Sequence, residues 1–282
     1  SLKNITEINH MKNSHIFDGV ALTKFLYWIK EKNKKKINEF QAQKKLEFFR
    51  KKNKNYLYPS FNTISASGPN GAIIHYRATN NSNKIIKKNE IFLCDSGGQY
   101  EYGTTDITRT ICFKNQSKEI KNIFTYVLKG HIAVANANLK KIKTADKLDS
   151  LARKYLRKKK LDYPHGTGHG VGYFLNVHEG PVAISKGYKA LLRPGHVMSN
   201  EPGFYKKGKY GIRIENMIYV KKIKNKIFFE NLTMVPIEKE LINYNLLSME
   251  EKNYLLDYNL KIYLNVEKYL NYNERSWLLS QF

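Results

Sequence analysis

The sequence predicts an α+β protein of two similar halves, each a run of helices followed by a pair of antiparallel strands. Three observations carry this. Apolar residues recur at helical spacing in two separate blocks, about 15–49 and 118–159. Each block is followed by two strand-like runs that fold back around a polar, glycine-containing turn. The composition, 41% hydrophobic against 26% charged over 282 residues, is that of a folded chain able to enclose a core and a cleft.

Taken in order, residues 1–13 are polar, lack a clear period and read as a linker arm. Ile16, Val20, Phe25, Leu26 and Ile29 predict an amphipathic helix over about 15–32. Phe40, Leu46 and Phe49 place a second over about 37–49. A Ser/Gly/Pro/Asn-rich loop follows at 58–70, then a short strand-like run at 72–75. Strands are expected at about 91–99 and 104–113. The second half repeats the plan, with helices over about 118–137 and, behind the cap candidate Thr144, 145–159. Four glycines in residues 165–172 demand loop or irregular strand. Residues 197–200 and 210–220 form the second strand pair, 230–236 a last strand, and 248–280 a helical tail.

The net charge of +25 invites a nucleic-acid reading. Against it, only 8 of the 49 basic residues are Arg and the chain holds 29 Asn, the signature of an A/T-rich coding sequence. Nucleic-acid surfaces favour the Arg fork, and no basic run here is interleaved with stacking aromatics. Nucleic acid is therefore not expected as a partner. No apolar run approaches the roughly 18–20 residues of a membrane span, so a transmembrane protein is not expected either. Cys94 and Cys112 are too few for a disulfide scaffold and read as buried free thiols. The chain opens on Ser1 and its first Met is Met11, which reads as a processed chain or a piece of a longer one.

The chemistry lies in the two strand pairs. Asp95 and Asp106 stand 11 residues apart around the turn near Tyr100 and Glu101, which places them nearly opposite on one face, within the slip a bulge allows. Glu201 and Glu215 stand 14 apart around Gly208. In Gly211-Ile-Arg213-Ile-Glu215-Asn216, Ile212 and Ile214 alternate with Arg213 and Glu215, so the charged pair shares a face. Carboxylates so placed repel and need a cation or a proton. Between the pairs lies His165-Gly-Thr-Gly-His169-Gly-Val-Gly172, whose small residues permit close approach to His169. Any one of these groups is more often an ordinary surface residue. Four carboxylates and one imidazole together exceed one zinc site and suit two divalent cations of the Mn, Co or Zn kind.

These motifs, Asp95-Ser-Gly-Gly-Gln-Tyr-Glu-Tyr-Gly-Thr-Thr-Asp106, His165-Gly-Thr-Gly-His169, Asn176-Val-His178-Glu-Gly-Pro181, Asn200-Glu201-Pro-Gly-Phe-Tyr205 and Gly211-Ile-Arg213-Ile-Glu215, closely resemble the catalytic domain of the Xaa-Pro aminopeptidases (aminopeptidase P). Those belong to the creatinase/methionine aminopeptidase superfamily, with its pita-bread fold of helices packed on a curved antiparallel sheet in pseudo-twofold halves. The likeness also takes in Ile74-His75-Tyr-Arg-Ala-Thr79 and the C-terminal extension. It implies a catalytic domain over 14–228 and an extension over 229–282 packed on it. It implies Asp95 as ligand of one metal, His169 and Glu201 as ligands of the other, and Asp106 and Glu215 as bridges. The ions are expected to be Mn²⁺, with Co²⁺ or Zn²⁺ as alternatives. Glu201 is the implied proton shuttle. His165, Val177, His178 and Tyr205 would accept the proline ring, His178 would donate to the developing oxyanion, and His75 would face the substrate from the other side. Arg213 would stand behind Asp95.

The expected activity is release of the N-terminal residue from peptides with proline second, by attack of metal-activated hydroxide on the Xaa-Pro bond. The resemblance also implies a cytoplasmic homodimer. A prolidase or methionine aminopeptidase of the same fold is the alternative. So, more remotely, is a non-catalytic relative binding RNA or protein, although such proteins lose ligands and none is lost here. The longer relatives carry two further domains before the catalytic one.

Overall fold

A computed structural model describes residues 2–33 and 35–282. The first helix, α1 (Ile5–Tyr27), begins earlier than its apolar spacing suggests. Asn4 caps it by accepting from the Glu7 N–H while the Glu7 carboxylate takes the Asn4 N–H, a reciprocal pair that satisfies two donors at the helix start. The expected linker arm is therefore corrected: residues 5–13 are helical, and Ile8 and Met11 pack against Val171, Val197 and Met217 of the second half. The pattern hid this because Ile8 and Met11 are the only buried positions in that stretch; further along, α1 also buries polar groups. Asp18 accepts from buried Arg50 at 2.7 Å and from Tyr100 at 2.9 Å. A wide π turn, Trp28–Lys32, ends α1, and α2 (Glu39–Arg50) packs beside it.

The first half then builds its strands. Strand β1 (Tyr56–Pro59) pairs with β4 (Gly98–Tyr100), which pairs in turn with β5 (Gly103–Thr104). Strand β2 (Ile64–Ser67), β3 (Phe92–Ser96) and β6 (Ile107–Ile111) form an antiparallel sheet with β3 central. The chain jogs from one sheet to the other at Gly97, where a Cβ would lie 2.0 Å from the Thr105 carbonyl oxygen. The strand expected at 72–75 is absent. A 3-10 turn at Gly68–Ala72 leads into bend and turn at 73–75 instead, because the segment wraps the buried Glu39 carboxylate, which accepts from Ser67 N, the Asn70 amide, the Tyr76 hydroxyl and Lys84 N.

The second half repeats the scheme with α3 (Lys118–Ala135) and α4 (Ala145–Arg157) packed on each other. The short strands β7 (Gly168–His169) and β8 (Ala183–Ile184) pair, as do β10 (Gly203–Lys206) and β11 (Tyr210–Arg213). Strand β9 (Val197–Asn200), β12 (Asn216–Ile223) and β13 (Lys226–Asn231) form a sheet with β12 central. The last strand thus starts and ends before the expected 230–236, because Arg109 pulls the chain out of the sheet by donating to the carbonyls of Val235 and Pro236. The helical tail divides into α5 (Met249–Val266) and α6 (Tyr272–Leu279), the latter restarted by an Asn271–Glu274 capping pair. Leu255, Tyr258 and Ile262 of α5 join the same core as Phe25 of α1 and Phe124 of α3. Both cysteines are buried and free, and burial pushes the Cys94 thiol up to about 12. No helix of the described residues is long and apolar enough to cross a membrane.

Candidate metal centre

All five acidic and imidazole residues predicted from the strand spacing come together at the floor of one cleft of ≈ 320 Å³. Asp95 lies one residue before the end of β3, opposite Thr108, and Asp106 lies just before β6, diagonal to Asp95 rather than directly across. The offset is two residues, so both carboxylates keep the same face. Glu201 and Glu215 stand in the gap between two strand pairings of one continuous register, Gly203 opposite Arg213 on one side and Asn200 opposite Asn216 on the other. Pro202 cannot donate to a ladder, and the break frees both glutamates to leave the sheet. Their backbones are held instead across the site, Glu201 N by the Thr167 carbonyl at 2.8 Å and Glu215 N by the Thr108 carbonyl at 3.2 Å.

His169 approaches from β7, where a Cβ on Gly168 would lie 2.0 Å from the Ser199 carbonyl oxygen, so only glycine fits. Its Nδ1–H donates to the Gly170 carbonyl at 2.9 Å, which turns Nε2 toward Asp106 Oδ2 and Glu201 Oε1, both at 3.4 Å. Ligand atoms of Asp106, His169 and Glu215 all lie within 4.8 Å of one another. Ser199 Oγ donates to Glu201 at 3.0 Å and Thr108 Oγ1 donates to Glu215 at 2.7 Å. Arg213 donates to Asp95 Oδ2 at 2.5 Å, and the other oxygen, Oδ1, is buried with no hydrogen-bond partner.

The electrostatics of this cluster are those of anions crowded away from water. Burial, against the pull of Arg213 and with Glu201 nearby, raises Asp95. Burial raises Asp106 to about 7, its bond to His169 notwithstanding. Burial, reinforced by the Asp106 and Glu201 charges, holds Glu215 well above the carboxylate range. Burial alone would lower His169, yet its bond to Asp106 and the charge of Glu201 hold it at about 9. Without a cation the cluster thus keeps protons. An orphaned buried Asp95 oxygen, four converging carboxylates and an imidazole with its second nitrogen already donating fit divalent metal, and the donor set is ample for two ions.

The walls carry the other predicted residues. His165, Val177, His178 and Ala183 line the cleft, as do His75, Phe61, Ile64 and Ile74. The His169 and His178 rings lie 4.2 Å apart, edge to face. Burial and the neighbouring His169 charge push His178 down, so it stands neutral at pH 7 with one N–H to give. Tyr205 departs from expectation: it does not line the cleft but stands behind His165. His165 Nδ1–H donates to the Gly166 carbonyl at 2.7 Å, so its Nε2 accepts from the Tyr205 hydroxyl at 2.7 Å, which itself accepts from Arg213 at 2.7 Å.

Arg109 was not singled out from the sequence. Fully buried, it donates to the Glu215 carbonyl at 2.7 Å, to Asn216 Oδ1 at 2.8 Å and to the Tyr258 hydroxyl at 3.0 Å, tying the backbone at Glu215 to the C-terminal extension. Local pattern in β6 suggested no role for it, because its Glu215 and Tyr258 partners lie more than a hundred residues away.

Fold and site together define a two-halved α+β protein with a carboxylate-rich candidate metal centre between its halves. The chain belongs to metallopeptidase family M24, whose model matches residues 9–222, with the C-terminal region of that family matching 226–281. It is 45% identical to the probable Xaa-Pro aminopeptidase P of Sordaria macrospora, covering 100% of this chain and 48% of that protein. It is 44% identical to that of Paracoccidioides brasiliensis, over 99% of this chain and 48% of that one. Among solved structures, the X-prolyl aminopeptidase of Caenorhabditis elegans, described as a cytosolic enzyme with a di-nuclear active site, superposes with a TM-score of 0.94. It is 38% identical, over 99% of this chain and 48% of that one. The Xaa-Pro dipeptidase of Bacillus anthracis follows at a TM-score of 0.73 and 30% identity, over 84% of this chain and 63% of that one. The chain therefore has the pita-bread fold and spans about half the length of the relatives it matches.

Proposed function

We propose that this chain is the catalytic part of a dinuclear Xaa-Pro aminopeptidase that releases the first residue of peptides with proline second. The observation that supports it best is the convergence of Asp95, Asp106, His169, Glu201 and Glu215 in one cleft whose other lining is largely apolar, with His75, His165, His178, Ser185 and Arg213 as its polar groups. Asp95 would hold one ion, His169 and Glu201 the other, and Asp106 and Glu215 both. Four carboxylates to one imidazole favour manganese over zinc. When bound, two such ions supply hydroxide at neutral pH and polarise the scissile carbonyl.

The remaining work falls to side chains. Glu201 takes the proton from the attacking water and returns it to the departing proline nitrogen. His178, neutral and facing the cleft, donates to the carbonyl oxygen as it gains charge. Val177, His165 and His178 accept the flat proline ring, with Tyr205 fixing the tilt of His165 from behind. His75, which lines the same cleft, would face the substrate from the other side. The acidic floor attracts the free amine of the substrate, which restricts cleavage to the N-terminus. The catalytic domain in this reading ends near residue 228 and the extension over 229–282 buttresses it through Arg109. A cytosolic setting and self-association as a homodimer complete the proposal.

Proline lacks an N–H, so no donor must be desolvated in the pocket. An alanine in its place brings an unpaired N–H, at about 1–3 kcal/mol, and loses apolar contact. With Mn²⁺ present, kcat/KM for Xaa-Pro-Xaa should exceed that for Xaa-Ala-Xaa by at least about tenfold. Equal values point to a broad aminopeptidase, and cleavage of Xaa-Pro dipeptides alone points to a prolidase.

A further inference from the structure

We infer that Lys3 is a positioning residue for the metal centre, acting through Glu179 on the carbonyl that orients His169. The inference rests on the metal-binding reading above. Residues 2 and 3 form an entry segment laid along the second half: Leu2 bridges His196, and Lys3 N donates to the Gly195 carbonyl at 2.9 Å. The Lys3 side chain, 4% exposed, donates to Glu179 Oε2 at 2.5 Å across 176 residues of sequence. Glu179 follows His178 directly. Its N–H donates to the Gly170 carbonyl at 2.8 Å, and that same oxygen accepts the His169 Nδ1–H at 2.9 Å.

One carbonyl thus receives both the imidazole that faces the cluster and the segment that carries His178. The contact is close enough that a Cβ on Gly170 would lie 2.2 Å from the Glu179 carbonyl oxygen. Backbone at 170 and 179 therefore moves together. Lys3 holds the outer end of this assembly. A Glu179 carboxylate without its ammonium turns toward water, because a half-buried anion with no partner is costly. The pull passes through Glu179 N–H to the Gly170 carbonyl and loosens the orientation of His169. Outer partners of a ligating imidazole set its direction and basicity, and their loss typically weakens metal binding or activity by about 10–100-fold.

The test compares the full chain with Lys3→Met, Lys3→Arg and Glu179→Gln, using exposed Lys51→Met as control. Mn²⁺ affinity is measured by calorimetry, amide exchange at Glu179 in metal-free protein, and kcat and KM on an Xaa-Pro-Xaa peptide. Lys3→Met and Glu179→Gln should weaken Mn²⁺ binding or lower kcat by about 10–100-fold, with KM within about twofold, and should speed exchange at Glu179. Lys3→Arg, which keeps the charge, should stay within about threefold of the parent, and Lys51→Met should match it. If Lys3→Met does not fold, Glu179→Gln decides alone. Parent-like Mn²⁺ affinity, kcat and exchange in Glu179→Gln overturn the inference. A protein that cleaves no Xaa-Pro peptide, yet loses Mn²⁺ affinity in these variants, supports it while sinking the proposed substrate.

Discussion

Glu201→Gln should abolish turnover of Xaa-Pro peptides while leaving the fold in place. Glu201 sits where β9 ends, its backbone held by Thr167 and its carboxylate by Ser199, 3.4 Å from His169 Nε2. Glutamine keeps the shape and one acceptor oxygen but loses two functions at once. It removes a negative charge from the set that balances the cations, and it removes the group that moves a proton from water to the leaving nitrogen. Acid–base catalysis by one side chain is worth about 10²–10⁴-fold, and the lost ligand adds to it. A fall in kcat/KM of at least about 1,000-fold is expected, with thermal unfolding within a few degrees of the parent. A variant that is fully metal-loaded and retains most of the parent rate contradicts the role.

His178→Ala should lower kcat by about 100- to 1,000-fold and change KM much less. The reasoning is electrostatic. His178 stands on the cleft wall beside His169, and partial burial pushes its imidazole toward the neutral form. A neutral imidazole offers one N–H to a carbonyl oxygen, and that bond strengthens only as the oxygen gains charge on the way to the tetrahedral state. A loss confined to KM would make His178 a wall of the proline pocket and leave the oxyanion to other groups.

How much of this was legible in the sequence divides along the range of the interactions. Glu201 and Glu215 were placed correctly because their spacing about Gly208 is a local register, and it holds through the break at Pro202. Asp95 and Asp106 were placed on one face but two residues off register, since the jog at Gly97 is set by Ser60 and Thr105, which no periodicity reveals. The helix over residues 5–13 was missed for a related reason. Of these residues only Ile8 and Met11 are buried, too few for the apolar stripe that pattern reading requires. The run at 72–75 carried strand-like residues, yet the four donor groups gathered by buried Glu39 outweigh local preference there. Tyr205, Arg109 and Lys3 act through contacts 8, 106 and 176 residues away in sequence, respectively with Arg213, Glu215 and Glu179. Of these, only Tyr205 was given a role from the sequence.

The central claim is a dinuclear centre built by Asp95, Asp106, His169, Glu201 and Glu215. Elemental analysis of protein reconstituted with excess Mn²⁺ and freed of unbound ion tests it most directly. Two ions per chain are expected, falling to one or fewer in Asp106→Asn, where a carboxylate meant to serve both ions is gone. No more than one ion at saturating Mn²⁺, Co²⁺ or Zn²⁺ would contradict it.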